Sequence, residues 1–210
     1  VNYLILRNFE NLLDDQIYVG GHEDIDFLCE NSMTVIEVLG ALSNRKKEDL
    51  THYHIFVGGN RVNLDLRSVG DGYYCEEWQK DMLTHKQEYN GFYIMSDEHY
   101  YYSLIYHAII QKVRFTEEYQ VRLTKMADDL GISIDDNQQQ NFIKSLDQYM
   151  KRCGYKYVYT RDLSIPLRFN LVDHTLIQND IVLRLGRVKF SVIKGLYEIA
   201  CRIYQLVFSK

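Results

Sequence analysis

The stretch Asp24-Ile25-Asp26-Phe27-Leu28-Cys29 decides how the first part of this chain folds. Polar and apolar residues alternate at its start, which predicts a β-strand with one wet face. Side chains two residues apart in a strand point to the same side, so the carboxylates of Asp24 and Asp26 should be neighbours. Two carboxylates so placed repel each other unless a cation lies between them. The strand therefore predicts a cation site as well as an element of structure.

A later strand supplies a third carboxylate. Asp65 lies between Leu64 and Leu66, whose side chains should point into the core and leave Asp65 on the other face. There it can meet the first two aspartates across the sheet. Three hard oxygen donors suit Mg²⁺, which completes its coordination with water and substrate phosphates, and Mn²⁺ is the alternative ion. We predict all three aspartates as metal ligands and catalytic groups, with Asp65 as ligand or base.

Three further patterns make the first half of the chain mixed α/β. Residues 1–6 are largely apolar and predict a buried strand. Thr34 and Glu37 have the spacing of a capping box, which predicts the start of a helix. Residues 52–57 and 61–66 flank two glycines and an asparagine, which predicts a β-hairpin.

After about Gly91 the periodicity becomes helical. Helices are predicted over residues 96–114, 116–130, 135–154 and 190–208, with an irregular or strand-like segment over 155–185. We therefore expect an α+β fold with a small mixed β-sheet core followed by a mostly helical half. The expected division is a core domain at 1–92 and a mainly helical domain at 93–210 that completes the cleft.

Composition limits the classes of function. Hydrophobic residues make up 46% of the chain and charged residues 25%, the balance of a folded protein. The net charge of −5 gives no general attraction for nucleic acid, which is not expected as a partner. The four cysteines lack any Cys-x-x-Cys spacing, so we expect reduced thiols in a cytoplasmic protein rather than a zinc or disulfide framework.

The last predicted helix has only a narrow polar stripe, formed by Lys194, Glu198 and Arg202. Most of its surface should therefore be buried, and its charges exclude a bilayer span. We expect it to pack on the body of the protein. Contact with a segment beyond this sequence, or with the inner membrane surface, remains an alternative.

Four basic side chains are candidates for substrate binding. Arg67 follows Asp65 by two positions and shares its face, where a guanidinium could clamp a phosphate or form a structural ion pair. Arg7 ends the first strand and has the same two interpretations. From the helical half, His107 and Lys112 could reach phosphate or acceptor oxygens, although a helical histidine is also a common buried hydrogen-bonding residue.

The pair Gly20-Gly21 followed by Asp24-Ile25-Asp26, with Asp65 on a later hydrophobic strand, resembles the nucleotidyltransferase superfamily related to DNA polymerase beta. The resemblance covers roughly residues 3–92. It implies a glycine turn that contributes to substrate binding and carboxylates that hold Mg²⁺. It further implies transfer of a nucleotidyl group from a nucleotide donor to a hydroxyl acceptor.

The string from 6–10 to 24–26, and the run at 64–74 followed by Trp78 and by 102–108, are also similar to a branch of that superfamily associated with bacterial surface polysaccharide synthesis. This narrower resemblance implies an NTP or CDP-linked donor and transfer of a nucleotidyl or phospho-alditol group to a glycan or its precursor, in the manner of the fukutin-related phosphotransferases. One alternative is a non-catalytic nucleotide-binding or scaffolding domain whose partners are other domains of a longer chain. Another is a small nucleotidyltransferase that modifies a protein or transfer RNA.

Overall fold

The computed structural model of the chain describes residues 1–12, 24–44, 51–112, 115–136, 138–163 and 165–208. Gly20 and Gly21, predicted to take part in substrate binding, lie outside the described residues. The described part is mixed α/β, with one seven-stranded sheet and six α-helices. The prediction of a mixed sheet combined with helices is therefore confirmed.

The sheet contains both parallel and antiparallel neighbours. Its strands are β1 (Tyr3–Ile5), β2 (Asp24–Cys29), β3 (Leu42–Ser43), β4 (His52–Val57), β5 (Asn60–Ser68), β6 (Gln87–Tyr89) and β7 (Phe92–Ile94). They are arranged in the order β3-β4-β5-β2-β1-β7-β6. The central β2 runs parallel to β5 and antiparallel to β1, and β1 runs parallel to β7. The predicted hairpin is confirmed as β4 and β5, joined by Gly58 and Gly59 with positive φ.

The register of β2 on β5 sets the position of the carboxylates. Asp26 lies directly beside Asp65 on the neighbouring parallel strand. Leu64 and Leu66 are 2% and 1% exposed and belong to a core cluster on the opposite face of the sheet. The side chains of β5 therefore alternate between the two faces of the sheet as predicted.

The helices of the structure are α1 (Ser32–Leu39), α2 (Glu76–Thr84), α3 (Asp97–Ile105), α4 (Glu117–Asp129), α5 (Gln139–Cys153) and α6 (Ile181–Phe208). A π-helix over Tyr106–Gln111 continues α3. The predicted helical half agrees with α3 to α5, and α4 and α5 are followed by Gly131 and Gly154 in the left-handed region. The sequence patterns did not predict α2 or the β6–β7 hairpin.

Two helix starts differ from the prediction. The capping box at Thr34 is wrong, because the side chain of Asn31 accepts a hydrogen bond from the Met33 amide at 2.9 Å and starts α1 earlier. The last helix begins at residue 181 rather than 190. Asp180 accepts a hydrogen bond from the Leu183 amide at 2.9 Å, a capping interaction that favours this earlier start.

The expected burial of α6 is also wrong for the side chains described. Its apolar residues between 181 and 196 are mostly exposed, while the side chains of Lys194, Glu198 and Arg202 lie outside the described ones. Within the described residues no helix has the length and apolar character needed to cross a membrane.

The main core lies between the sheet and the helices of the second half. Trp78 of α2 is fully buried at its centre, with ring contacts to Tyr74, Tyr149 and Tyr155. The stack on Tyr155 is nearly parallel, with ring centroids 5.5 Å apart. The same cluster contains β1 and β2 residues as well as α3 and α5 residues. It therefore draws on both sides of the predicted boundary at residue 92.

Candidate metal centre

Three carboxylates gather on the face of the sheet that carries Asp26 and Asp65. One oxygen from each of Asp24, Asp26 and Asp65 lies within 4.8 Å of the others. Asp26 and Asp65 are each 8% exposed, whereas Asp24 is exposed at the start of β2. The structure thus brings together the three carboxylates predicted from strand alternation, two of them buried and one open to solvent.

Two buried arginines form ion pairs with the buried carboxylates. Arg7 follows β1, the neighbour of β2, and its Nη2 donates to Asp26 Oδ1 at 2.7 Å. Arg67 shares the face of Asp65 on β5, and its Nη2 donates to Asp65 Oδ2 at 2.9 Å. Because a buried charge without a partner is strongly unfavourable, these ion pairs allow the carboxylates to be buried.

The pairing leaves specific polar atoms without a partner. Among the described residues, Asp65 Oδ1, Arg7 Nη1 and Arg67 Nε are buried and make no hydrogen bond. A buried polar atom left unpaired is costly, so such atoms mark places where a ligand would gain contacts. One of these atoms is a carboxylate oxygen suited to a cation, and two are guanidinium donors suited to an anion.

Burial raises the pKa of the Asp65 carboxyl above its ordinary value. Arg67 opposes this rise, whereas the charge of Asp26 adds to it. The protein groups around Asp65 therefore do not fully compensate its negative charge. A divalent cation held by hard oxygen ligands fits this carboxylate set, since it would supply the missing positive charge.

Tyr73 covers the two arginines. The guanidinium carbon of Arg67 lies 4.3 Å from the centre of the Tyr73 ring, and that of Arg7 lies 5.8 Å away. The Tyr73 hydroxyl is 3.2 Å from His107 Nδ1, and Gln111 Nε2 donates to the Tyr73 carbonyl at 3.0 Å. The π-helix thus holds the ring in place over the charged groups.

The two predicted residues of the helical half, His107 and Lys112, differ in their burial. His107 is buried and contacts Tyr73, whose ring lies over the two arginines of the site. Lys112 is exposed at the end of the π-helix, where its backbone amide donates to the His107 carbonyl at 3.0 Å. Their direct contact with a substrate stays a prediction.

Two residues of the site are not among those predicted. Tyr73 follows Gly70-Asp71-Gly72, a sequence typical of turns, and both glycines have a positive φ in the structure. Asp162, from the irregular segment after α5, lies 3.9 Å from Arg67 Nη1 through its Oδ2. No local pattern in the sequence indicates this approach, because it depends on how distant segments pack.

Comparison of the chain with protein-family models, with curated proteins and with solved structures gave no significant match.

Proposed function

We propose that this chain is a metal-dependent transferase that moves a nucleotidyl or phospho-alditol group from a nucleotide donor to a hydroxyl acceptor. The proposal depends on one observation: three carboxylates within 4.8 Å, one with a buried unpaired oxygen, beside two arginines with unpaired donors. A nucleotidyltransferase-like core and a glycan acceptor are part of the proposal, in line with the resemblance of residues 3–92.

Charge supports the choice of substrate. Counting Asp162 beside Arg67, four ionised carboxylates and two guanidiniums give the site two net negative charges, which disfavours a phosphate group. Mg²⁺ or Mn²⁺ held by Asp24, Asp26 and Asp65 would offset these two charges and remove this repulsion. When bound, such an ion offsets negative charge on phosphate and leaving-group oxygens. The site would therefore bind a phosphorylated donor only together with a cation.

The side chains of the chain divide the remaining tasks. Arg7 Nη1 and Arg67 Nε are donors without partners in the described residues and are suited to phosphate oxygens. Asp65 Oδ1 is suited to hold the cation or to accept a proton from the attacking hydroxyl. Tyr73 keeps both guanidiniums in position, since their contacts with its ring limit their movement.

The second candidate is a non-catalytic nucleotide-binding module. The two arginine–aspartate pairs favour it, because a guanidinium already occupies an oxygen of each buried carboxylate. A protein that had lost catalysis could retain such pairs to stabilise its fold. The two candidates differ in whether product forms after the cation and donor have bound.

Calorimetric titration with Mn²⁺ and then with Mg²⁺ tests the cation site directly. We expect Asp24→Asn to weaken binding by about tenfold or more, since one of three anionic ligands is lost. Asp24 is exposed, so the fold should survive the change. Asp129→Asn on α4, which changes an exposed aspartate elsewhere, is the matched control and should bind like the wild type.

The same protein is then incubated with Mg²⁺ and nucleoside triphosphates or a CDP-alditol, with water or glycan fragments as acceptors. Release of pyrophosphate or CMP that Asp24→Asn abolishes would support the transferase. Binding of cation and nucleotide without product would favour the module. Absence of divalent-cation binding in the wild type would contradict the metal centre itself.

A further inference from the structure

The helix α6 exposes an apolar face that nothing in the described residues covers. Seven aliphatic side chains on the first sixteen residues of the helix are between 55% and 79% exposed. At about 100° per residue they fall on one side of the helix. They are Ile181, Val182, Leu185, Val188, Val192, Ile193 and Leu196.

The opposite side of α6 faces the body of the protein. Arg187 donates through Nη1 to the carbonyls of Thr160 at 3.1 Å and Asp162 at 3.2 Å, and through Nη2 to the carbonyl of Ile165. Leu183 is half-buried on the same side. An amphipathic helix ordinarily buries its apolar side, so this arrangement is the reverse of the usual one.

The charge of α6 is also opposite to that of the chain. The helix contains five of the 24 Lys and Arg residues but only one of the 29 Asp and Glu residues. Residues 181–196 include four basic residues and no acidic one. Arg184 and Lys189 are exposed within this stretch. A basic, apolar surface therefore lies on a protein whose net charge is −5.

We propose that this face of α6 docks on an anionic phospholipid bilayer, with the helix lying parallel to the surface. Aliphatic side chains would enter the boundary between headgroups and acyl chains, and the basic side chains would lie at the level of the phosphates. Lys189, the cation on the apolar side, is long enough to extend its ammonium to that level. Arg187 keeps the body on the aqueous side of the helix.

A bilayer fits this face better than a second copy of the chain. Two copies paired along it would place Lys189 of each in or beside the same apolar contact, with no acidic residue in 181–196 to neutralise it. An anionic bilayer instead attracts every cation of the helix. The positive charge of residues 181–196 is therefore complementary to an anionic bilayer and not to the same residues of a second copy.

Flotation of the protein with vesicles tests the proposal. We expect binding to phosphatidylcholine vesicles prepared with about 30% phosphatidylglycerol. Binding should be much weaker to vesicles of pure phosphatidylcholine, or to the anionic vesicles at high salt. Arg184→Gln should lower partitioning about fivefold, the effect of one cation near the surface. Val192→Glu should lower it by about tenfold or more, because a charge replaces a side chain that enters the bilayer.

The matched control is Val121→Glu on α4, where the same change is made at a valine that is 64% exposed. It should bind vesicles within about twofold of the wild type. Equal loss in Val121→Glu and Val192→Glu, or no binding by the wild type, would overturn the proposal. Sedimentation equilibrium adds an independent outcome: a dimer that Val192→Glu dissociates, without vesicle binding, would assign the face to a second copy. Asp24→Asn should bind vesicles normally, so failure of the metal centre and failure of this proposal are distinguishable.

Discussion

At the scale of single residues, the site depends on guanidiniums that act both as counterions and as donors. Arg7 and Arg67 each use one Nη atom for a carboxylate and keep another nitrogen unpaired among the described residues. A lysine has three donors on a single nitrogen, so it could not direct separate nitrogens at a carboxylate and at a phosphate. Each guanidinium can therefore offset a buried carboxylate while another of its nitrogens stays available to a phosphate.

Replacing Arg7 tests this dual role. Arg7→Met preserves much of the side-chain volume but leaves Asp26 buried without its partner. We expect a loss of about 3–5 kcal/mol in the free energy of unfolding, measured by urea denaturation, because an uncompensated buried charge remains. Added Mn²⁺ should restore more stability to this variant than to the wild type, since the cation can replace the lost positive charge.

The control for Arg7→Met is an arginine in an exposed ion pair. Arg152 contacts Glu98 with 61% of its side chain exposed. Arg152→Met should lower stability by at most about 1 kcal/mol, because solvent screens the pair. Equal losses in the two variants, with no added effect of Mn²⁺, would show that Arg7 does not compensate a charged site.

His99 links the stability of the core to pH. Its Nδ1 accepts from Trp78 Nε1 at 3.1 Å and lies 2.9 Å from the Tyr149 hydroxyl. Because an indole nitrogen can only donate, protonation of Nδ1 would break the bond to Trp78. Burial lowers the pKa of His99, and the neighbouring His85 lowers it further. The unfolded chain therefore binds the proton more readily than the folded chain does. The stability that neutral His99 contributes is present above about pH 6.5 and is lost as the pH falls below that value.

Urea denaturation at pH 7.5 and pH 5.5 measures this loss. We expect the wild type to lose more stability on acidification than His99→Gln, which has no imidazole to protonate. His174→Gln, at an exposed histidine, should retain the wild-type pH dependence. A His99→Gln variant with the same pH dependence as the wild type would contradict the assignment to His99.

At the scale of elements, alternation and turn residues predicted what local geometry determines. The strands β2 and β5 were predictable because apolar residues alternate with aspartates, and the two glycines between β4 and β5 fixed the hairpin. The helix α2 was not predictable in the same way. It contains two glutamates, a lysine and an aspartate, and its buried residues are Trp78, Gln79, Met82 and Leu83.

The same limit applies to the site. The convergence of the three aspartates follows from side-chain alternation and from one pairing of strands, so it could be predicted. The covering ring of Tyr73 and the approach of Asp162 depend on contacts between segments far apart in sequence. The exposed face of α6 was missed because an apolar helix surface ordinarily predicts burial, and the sequence does not show which side contacts the body.

Gly72 permits the close approach that positions Tyr73. Its φ is +77°, and a Cβ atom there would lie 3.2 Å from the Tyr159 carbonyl oxygen and 3.4 Å from Thr160 Cα. Gly72→Ala should therefore cost about 2–4 kcal/mol, the sum of backbone strain and a clash with rigid backbone. Chemical denaturation measures this loss.

Gly70→Ala separates the two contributions. Gly70 has a φ of +83°, but a Cβ atom there would meet only the side chain of Glu76 at 3.6 Å. This variant should lose only the strain of about 1–2 kcal/mol and keep the cation affinity of the wild type. A Gly70→Ala variant as unstable as Gly72→Ala would show that the close approach of residues 159–160 carries no cost.

At the scale of the whole molecule, the segment that connects α5 to α6 contacts both the proposed metal centre and the helix of the proposed bilayer contact. Asp162 lies close to Arg67 through its carboxylate and accepts from Arg187 through its carbonyl. One short stretch of backbone thus touches both. The three proposed metal ligands lie on strands of the sheet and not on α6. Docking through α6 therefore does not use any ligand of the centre.

The shared core predicts that the two halves of the chain unfold together. Trp78 precedes the boundary at residue 92, whereas its partners Tyr149 and Tyr155 follow it, and all are buried in one cluster. Native-state hydrogen exchange should give the slowest amides of β5 and α5 the same free energy of opening within about 1 kcal/mol. Trp78→Ala should lower both free energies of opening equally, by about 3–5 kcal/mol, because the cavity that the substitution creates would lie between the two halves. Amides of α6, with its exposed apolar face, should exchange at a lower free energy and serve as the internal control. If β5 stayed protected after α5 had exchanged, the chain would instead consist of two domains that fold independently.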